Sequence, residues 1–232
     1  MFHGYFKETR RPIYAAALVV PFLVVYHIGT AVFHTTYING ADALIIRLFS
    51  IASVNSMFAS AVVLAVCFAV WQIRTHASWK VDSRKVAAMF LESACFALVL
   101  FYAFGWLTVR FSFAAGVPEQ QGRLQRLVLY CGAGVYEELL FRAFLLGGLI
   151  LLLTRWAGLK KGRAAVIAVT AASLLFAAFH YVGPAGDPFS FGSFFQRTLG
   201  GLYFSGLFVA RGFGVTAAAH ALYDILVGLV LA

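Results

Sequence analysis

The chain has 232 residues, of which 62% are hydrophobic and only 12% charged, and its mean hydropathy is +0.87. Soluble domains carry about a quarter charged residues, so this composition excludes a soluble globular domain and indicates a polytopic membrane protein. The net charge is +9, but Lys and Arg lie at the ends of apolar runs rather than in a basic stripe with interleaved aromatic residues, which argues against nucleic-acid binding.

The apolar runs predict seven membrane-spanning helices, since one span needs about 20 apolar residues. In chain order they extend from Pro12 to Phe33, Ala52 to Ile73, Val86 to Phe111, Leu127 to Leu153, Ala164 to Tyr181, Phe195 to Ala210 and Val215 to Leu231. A short amphipathic helix from Ala41 to Phe49 is expected before the second span. We therefore predict an all-α transmembrane bundle of about seven spans, with no separate soluble domain.

The loops at the two ends of these helices differ in positive charge. Most Lys and Arg residues precede the first helix or follow the second, fourth and sixth helices. Loops rich in Lys and Arg tend to stay in the cytoplasm, so the N-terminus is predicted to be cytoplasmic. Short loops with this charge pattern are typical of a bacterial inner (plasma) membrane.

Ionisable residues concentrate in the C-terminal helices. One such side chain in the hydrocarbon region costs about 2.5–3.5 kcal/mol or more on insertion scales, so each needs a function or a partner. The residues concerned are Glu137, Glu138 and Arg142 in the fourth helix, His180 at the end of the fifth, and His220 and Asp224 in the seventh. The earlier spans contain His27 and Glu92, for which a structural role is predicted.

The fourth helix offers an ion pair and a second acid. Glu138 and Arg142 are four residues apart and share a helix face, so they are predicted to pair and to brace the backbone. Glu137 lies about 100° around the helix from Glu138 and can face the fifth and seventh helices. A carboxylate in a water-poor cavity is suited to take a proton from water, which makes Glu137 the candidate general base.

His220 and Asp224 are also four residues apart and share a face. Asp224 is predicted to accept a hydrogen bond from one ring nitrogen of His220, which leaves the other nitrogen for a metal, a water or a developing oxyanion. His180 would complete a site that activates water. In the predicted topology, however, His180 lies near the outer end of the fifth helix, whereas Glu137 and His220 lie nearer the cytoplasmic side. Bringing the three together requires a tilted helix or a loop that dips inward.

These residues form three motifs in chain order. They are Glu137-Glu138-Leu139-Leu140-Phe141-Arg142, Phe176-Ala177-Ala178-Phe179-His180 and His220-Ala221-Leu222-Tyr223-Asp224. Here the chain resembles the CAAX protease and bacteriocin-processing (CPBP or Abi) family of intramembrane proteases, which is related to the CAAX prenyl endopeptidases. The resemblance extends from about Arg126 to Leu231. We therefore divide the chain into residues 1–122, three N-terminal helices without a family match, and residues 123–232, a CPBP-like catalytic helical core.

The resemblance implies hydrolysis of a peptide bond in a membrane-associated peptide or protein tail. Water would be activated by Glu137 with His180, and the oxyanion would be stabilised by His220 with Asp224. Glu138 and Arg142 would give structural support. CAAX prenyl endopeptidases have Asn at the last motif position, whereas Asp224 can donate a hydrogen bond only when protonated. Asp224 is therefore expected either to orient His220 or to assist a metal.

The family has been described both as glutamate-dependent and as metal-dependent. No cysteine lies near the motifs and no His-Glu-x-x-His helix is present, so the stronger zinc signals are missing. The metal-free glutamate mechanism is favoured, with no cofactor. Zinc is the alternative, and its ligands would be Glu137, His180 and His220.

Two other functions stay open. Acid and histidine groups in membranes also relay protons in transporters, although a proton-coupled transporter predicts duplicated halves, which the sequence lacks. The second alternative function is that of a non-catalytic membrane partner, such as a bacteriocin-immunity protein. For the favoured protease, the expected partners are membrane lipid and a peptide or protein tail, and no nucleic acid.

Overall fold

The computed structural model describes residues 2–33, 40–51, 58–111, 122–183 and 186–230. Within these ranges the regular secondary structure is helical and no strand occurs. The helices are α1 (Phe2–Glu8), α2 (Pro12–Val32), α3 (Gly40–Ile51), α4 (Ala59–Thr75), α5 (Ser83–Phe111), α6 (Arg123–Glu138), a π-helical segment (Leu139–Leu146), α7 (Gly147–Arg155), α8 (Lys161–Phe179), α9 (Phe191–Arg211) and α10 (Phe213–Val230).

Each predicted helix corresponds to an observed one. The amphipathic helix is α3, and the fourth predicted helix is the continuous rod formed by α6, the π-helical segment and α7. The predicted start of the second helix at Ala52 and the end of the seventh at Leu231 lie outside the described residues. Helix α1 was not predicted, because its seven residues are too few and too polar for a span.

Among the residues that the structure describes, four helices are long and apolar enough to cross a membrane. They are Pro12–Val32, Ser83–Trp106, Lys161–Phe179 and Phe213–Val230. Helix α4 is apolar but shorter, with 17 residues. The chain is thus a helical integral membrane protein, while seven spans and a cytoplasmic N-terminus stay predictions.

Helix α10 lies at the centre of the bundle and packs against α2, α5, α6 and α9. Its residues from Phe213 to Ala221 form an unbroken buried stretch. Four of them are alanines, and small side chains allow neighbouring helices to approach closely in a membrane. His220 belongs to this stretch and is therefore surrounded by protein.

Helices α6 and α10 make backbone contact at Gly134. A Cβ atom added to Gly134 would lie 2.3 Å from the backbone nitrogen of Ala221 and 2.5 Å from its Cα. Only glycine fits at such a distance. Glu137 and Glu138 follow one turn later on α6, and His220 precedes Ala221 on α10, so this close approach brings the two acids against the histidine.

Gly134→Ala is expected to destabilise the protein by about 1–3 kcal/mol, because the added methyl group forces the two backbones apart. Gly148→Ala is the matched control, since nothing lies within 4 Å of a Cβ atom at that position. The control is expected to be neutral or to stabilise by up to about 1 kcal/mol through helix propensity. Thermal unfolding of both variants in detergent measures the difference, and equal transition temperatures would contradict the backbone contact.

One end of the bundle is held by α1 and the residues that follow it. Arg10 donates a hydrogen bond of 2.7 Å to the carbonyl oxygen of Val209, in the last turn of α9. Arg11 donates one of 3.2 Å to the carbonyl oxygen of Lys80, between α4 and α5. The N-terminal segment therefore contacts two of the three other positively charged segments that the charge pattern assigns to the same side of the membrane.

Glu92 takes part in the same contacts. Arg211 Nη2 donates to Glu92 Oε2 at 2.7 Å, Arg211 Nε donates to the other carboxylate oxygen, and the hydroxyl of Tyr5 donates to Glu92 at 3.0 Å. Burial, together with the charge of Glu92, raises the pKa of Tyr5 to about 12, so the phenol keeps its proton. Glu92 thus has structural partners, as predicted. We call the side chains of Tyr5, Arg10, Arg11, Glu92 and Arg211 the N-terminal clamp.

A second buried polar network joins α2, α3 and α6. The hydroxyl of Tyr26 donates to Asp42 Oδ2 at 2.5 Å, and His27 Nε2 lies 2.7 Å from the hydroxyl oxygen of Tyr136. His27 is therefore a hydrogen-bonded packing residue, as expected. Asp42 is buried on α3 and was not singled out from the sequence.

Candidate active site

The rod formed by α6 and α7 changes its helical geometry next to the acidic pair. The π-helical segment begins immediately after Glu138 and includes Arg142. Its wider turns are shown by the backbone N–H of Gly147, which donates to the carbonyl of Arg142, five residues earlier. Such segments are rare and occur frequently at functional sites. A regular helix was predicted here, so the change of geometry is a finding of the structure.

Glu138 and Arg142 form the buried ion pair that their spacing predicts. Their exposed fractions are 0% and 1%, and Arg142 Nη1 lies 2.9 Å from Glu138 Oε1. Arg142 Nη2 also donates to the carbonyl oxygen of Gly201 at 3.4 Å, and the guanidinium carbon lies 4.5 Å from the ring centre of Phe176. The pair therefore connects the rod to both α8 and α9.

Glu138 has a second partner that the sequence did not indicate. Its Oε1 atom lies 2.7 Å from Nδ1 of His220, so a carboxylate from α6 holds the ring that α10 supplies. The sequence assigned this contact to Asp224, but Asp224 Oδ2 is 3.6 Å from His220 Nε2, beyond a hydrogen bond. The expectation was wrong because a shared helix face does not decide how the ring is turned, and α6 places a nearer carboxylate on the other nitrogen.

The ring of His220 is held from its face as well as its edge. Phe204 stacks on it with ring centres 4.4 Å apart and planes 19° apart, and only 4% of the residue is exposed. Its Nε2 atom then faces two acids, with Glu137 Oε2 at 3.9 Å and Asp224 Oδ2 at 3.6 Å. A histidine held in this way presents a single ring nitrogen for chemistry.

His180 follows directly after α8. Its Nδ1 atom lies 2.8 Å from the carbonyl oxygen of Phe176, four residues earlier. A carbonyl oxygen can only accept, so Nδ1 carries the proton and Nε2 of the neutral ring is an acceptor. The Phe-x-x-x-His spacing thereby selects one tautomer of His180.

The rings of His180 and His220 both contact the ring of Phe176 edge to face. The ring centre of Phe176 is 4.9 Å from that of His180 and 6.1 Å from that of His220. Both histidines are therefore in contact with the same side chain. The conflict that the predicted topology raised for His180 does not arise in the structure.

A cavity of about 210 Å³ joins these groups. Its lining consists of Phe104, Phe176, His180, Ser193, Gln196, Arg197, Gly200, Phe204, His220, Tyr223 and Asp224. Glu137 does not line the cavity, but its Oε2 atom lies 3.9 Å from Nε2 of His220, which does. The structure thus places His180, His220 and Asp224 around one space, with Glu137 beside it and Glu138 and Arg142 as support. Ser193, Gln196 and Arg197 were not predicted to lie here.

The donor atoms of Glu137, His180 and His220 are of the types that zinc prefers. Among the described residues, however, no three His, Cys, Asp or Glu side chains are arranged to hold one metal ion. The Nδ1 atom of each histidine is already engaged, by Phe176 and by Glu138. This leaves Nε2 of each ring for a water or another ligand, and no step below passes through a metal.

The comparison with protein families agrees with these three motifs. Residues 119–226 match the model of type II CAAX prenyl endopeptidase Rce1-like proteins. The match includes Glu137, His180, His220 and Asp224. Neither the curated proteins nor the solved structures give a match to the chain. Residues 119–226 therefore belong to the Rce1-like family of CAAX-type membrane proteases.

Proposed function

We propose that this protein is an intramembrane endopeptidase that hydrolyses a peptide bond in a membrane-associated peptide or protein tail. The observation that supports it best is that His180, directly after α8, and His220, on α10, line one cavity, with Glu137 of α6 3.9 Å from His220. Bundle packing gives no reason to gather three ionisable groups there. A site that activates water requires such groups.

In the proposed reaction, the carboxylate of Glu137 takes a proton from water as the water oxygen attacks the peptide carbonyl carbon. His180 accepts a hydrogen bond from the same water through Nε2 and so orients it. The proton then passes to the peptide nitrogen as the carbon–nitrogen bond breaks. The products are a carboxylic acid and an amine, which balances the addition of one water.

The negative charge of the tetrahedral intermediate needs a donor. His220 supplies one when both ring nitrogens carry protons, since Nδ1 then donates to Glu138 and Nε2 to the oxyanion. The carboxylates of Glu138 and Asp224 stabilise the charged ring once Glu137 has taken its proton from water. We assign Asp224 this electrostatic role, or that of a second donor when it is protonated.

The proposed setting is a bacterial inner membrane, with lipid and a tail peptide as partners and no nucleic acid. The family name includes prenylated CAAX tails, so a lipid-modified tail is one substrate to test. The metal-free mechanism is proposed over the zinc mechanism because, among the described residues, no three His, Cys, Asp or Glu side chains are arranged to hold one metal ion.

The direct test is cleavage of lipid-modified and unmodified tail peptides by the purified protein in detergent, with and without a strong chelator. We expect cleavage that resists the chelator and that falls by about 10²–10³-fold in His220→Ala, because an oxyanion donor is lost. His27→Ala is the matched control, since this histidine contacts Tyr136 and does not line the cavity.

Three results would contradict parts of the proposal. If His220→Ala cuts as well as the parent, the site assignment is wrong. If the chelator stops cleavage and zinc restores it, the zinc mechanism replaces the metal-free one. If the protein binds tail peptides but cuts none of them, a non-catalytic partner is favoured.

A further inference from the structure

Arg197 is a charged residue in the cavity to which the proposed reaction gives no task. It lies on α9, with Ser193 and Gln196 on the adjoining turn of the same cavity wall. Its side chain is 22% exposed, so most of the guanidinium is withdrawn from solvent. Nη2 of Arg197 donates to Asp187 Oδ2, and the guanidinium carbon lies 5.2 Å from the ring centre of Tyr181.

These contacts leave part of the guanidinium without an acceptor. Nη1 of Arg197 is buried and has no hydrogen-bond partner among the residues that the structure describes. An unsatisfied buried donor is unfavourable, so a ligand that brings an acceptor to Nη1 gains free energy. Asp187 and Tyr181 already hold the side chain in place, so little conformational freedom is lost when a ligand binds.

The chemistry of that ligand follows from the guanidinium. Its planar, permanently charged N–H groups match the two oxygens of a carboxylate. Arg197 precedes Phe204, which stacks on His220, by seven residues, or about 10 Å along α9. A peptide in the cavity can therefore extend from the reacting groups to Arg197.

We infer that Arg197 binds a carboxylate of the substrate, and that this carboxylate is the free C-terminus of the tail. Arg197 is thus a specificity-determining residue that distinguishes a tail with a free end from the same sequence in the middle of a chain. The inference rests on the proposed function for its substrate. Ser193 and Gln196 offer further hydrogen-bond donors along the path of the peptide.

The test uses three tail peptides that are identical up to the last residue: a free C-terminal acid, the C-terminal carboxamide, and a carboxamide with Asp at the last position. The parent protein is expected to cleave the free acid with a kcat/KM about 10–100 times that of the carboxamide, the range expected for a charge-assisted contact. Arg197→Gln is expected to reduce this ratio to about one by slowing only the acid. A carboxamide with Asp that is cleaved like the free acid would mean that a side-chain carboxylate is the ligand, and would overturn the assignment to the C-terminus.

Asp187→Asn is the control for a purely structural role, because it removes the ion pair and keeps the guanidinium. If Arg197 only holds the segment around Asp187, both variants lose activity equally on acid and carboxamide, which overturns the inference. If Arg197 binds the substrate, Asp187→Asn keeps the preference for the acid. Thermal unfolding of both variants confirms that they are folded.

Binding separates this inference from the proposed function. Dissociation constants of the acid and the carboxamide are measured with Glu137→Gln protein, with and without Arg197→Gln. Tighter binding of the acid that disappears with Arg197→Gln supports the inference even if no peptide is ever cleaved. Equal dissociation constants for the two peptides overturn it, whatever the cleavage assay gives.

Discussion

Glu137→Gln is expected to lower kcat for tail-peptide cleavage by about 10²–10⁴-fold, the usual contribution of a general base. The amide has almost the same shape as the carboxylate but cannot take a proton from water. Packing against His220 is retained, so the dissociation constant for the peptide is expected to stay within a few-fold of the parent value. Single-turnover cleavage and equilibrium binding on the same preparation measure both quantities.

Glu8→Gln is the matched control for this change, because it is the same substitution at an acid outside the cavity. Glu8 is 36% exposed and pairs with Arg11 and Lys85. Its cleavage rate is expected to equal that of the parent. If Glu137→Gln retains more than about a third of the parent kcat, another group takes the proton, and His180 becomes the first candidate.

Glu138→Gln is expected to have the largest effect on stability. The substitution leaves the guanidinium of Arg142 buried without its counter-charge, and breaking a buried pair costs about 3–5 kcal/mol. The same change weakens the acceptor for Nδ1 of His220, and loss of such an orienting partner lowers activity by about 10–100-fold. Unfolding transitions and kcat are both expected to fall.

The exposed acid again provides the comparison. Glu8→Gln removes two ion pairs, but exposed pairs contribute only about 0–1 kcal/mol each. If Glu138→Gln and Glu8→Gln lower the unfolding temperature equally, burial of Glu138 does not increase the contribution of its ion pair to stability. If Glu138→Gln is destabilised but keeps full kcat, Glu138 supports the fold without orienting His220.

Sequence spacing was sufficient for some contacts within one helix, although the hydrogen bond predicted between His220 and Asp224 is not formed. The ion pair of Glu138 with Arg142 follows from a separation of four residues, and the structure contains it. The selected tautomer of His180 likewise depends on a bond within four residues, to Phe176. Periodicity describes such contacts because the helix itself sets the distance between the two side chains.

Contacts between helices could not be predicted from residue spacing within one helix. The bond from His220 to Glu138 exists because Gly134 allows α6 to touch α10 at Ala221. Nothing in the spacing of His220 and Asp224 reveals where α6 will cross. Arg197 was not predicted as a site residue for the same reason, since only the packing of α9 against α8 and α10 shows that it lines the cavity.

The helical class and the approximate helix limits followed from hydropathy, while two features did not. Asp42 was taken as part of an amphipathic helix, yet it is buried against Tyr26. The π-helical segment was read as regular helix, because the apolar residues from Leu139 to Leu146 carry no breaker such as Pro or Gly. Both depend on tertiary contacts that periodicity does not contain.

The N-terminal clamp has a consequence for the order in which the molecule assembles. Its bond from Arg10 to Val209 joins positions 199 residues apart. At roughly 5–20 residues per second of synthesis, about 10–40 s pass between the appearance of Arg10 and that of its acceptor. Until then the arginines of this segment have no α9 to bind and remain available to hold the chain on one side of the bilayer. Residues made early in this chain therefore reach their final partners only after most of the helices have been synthesised.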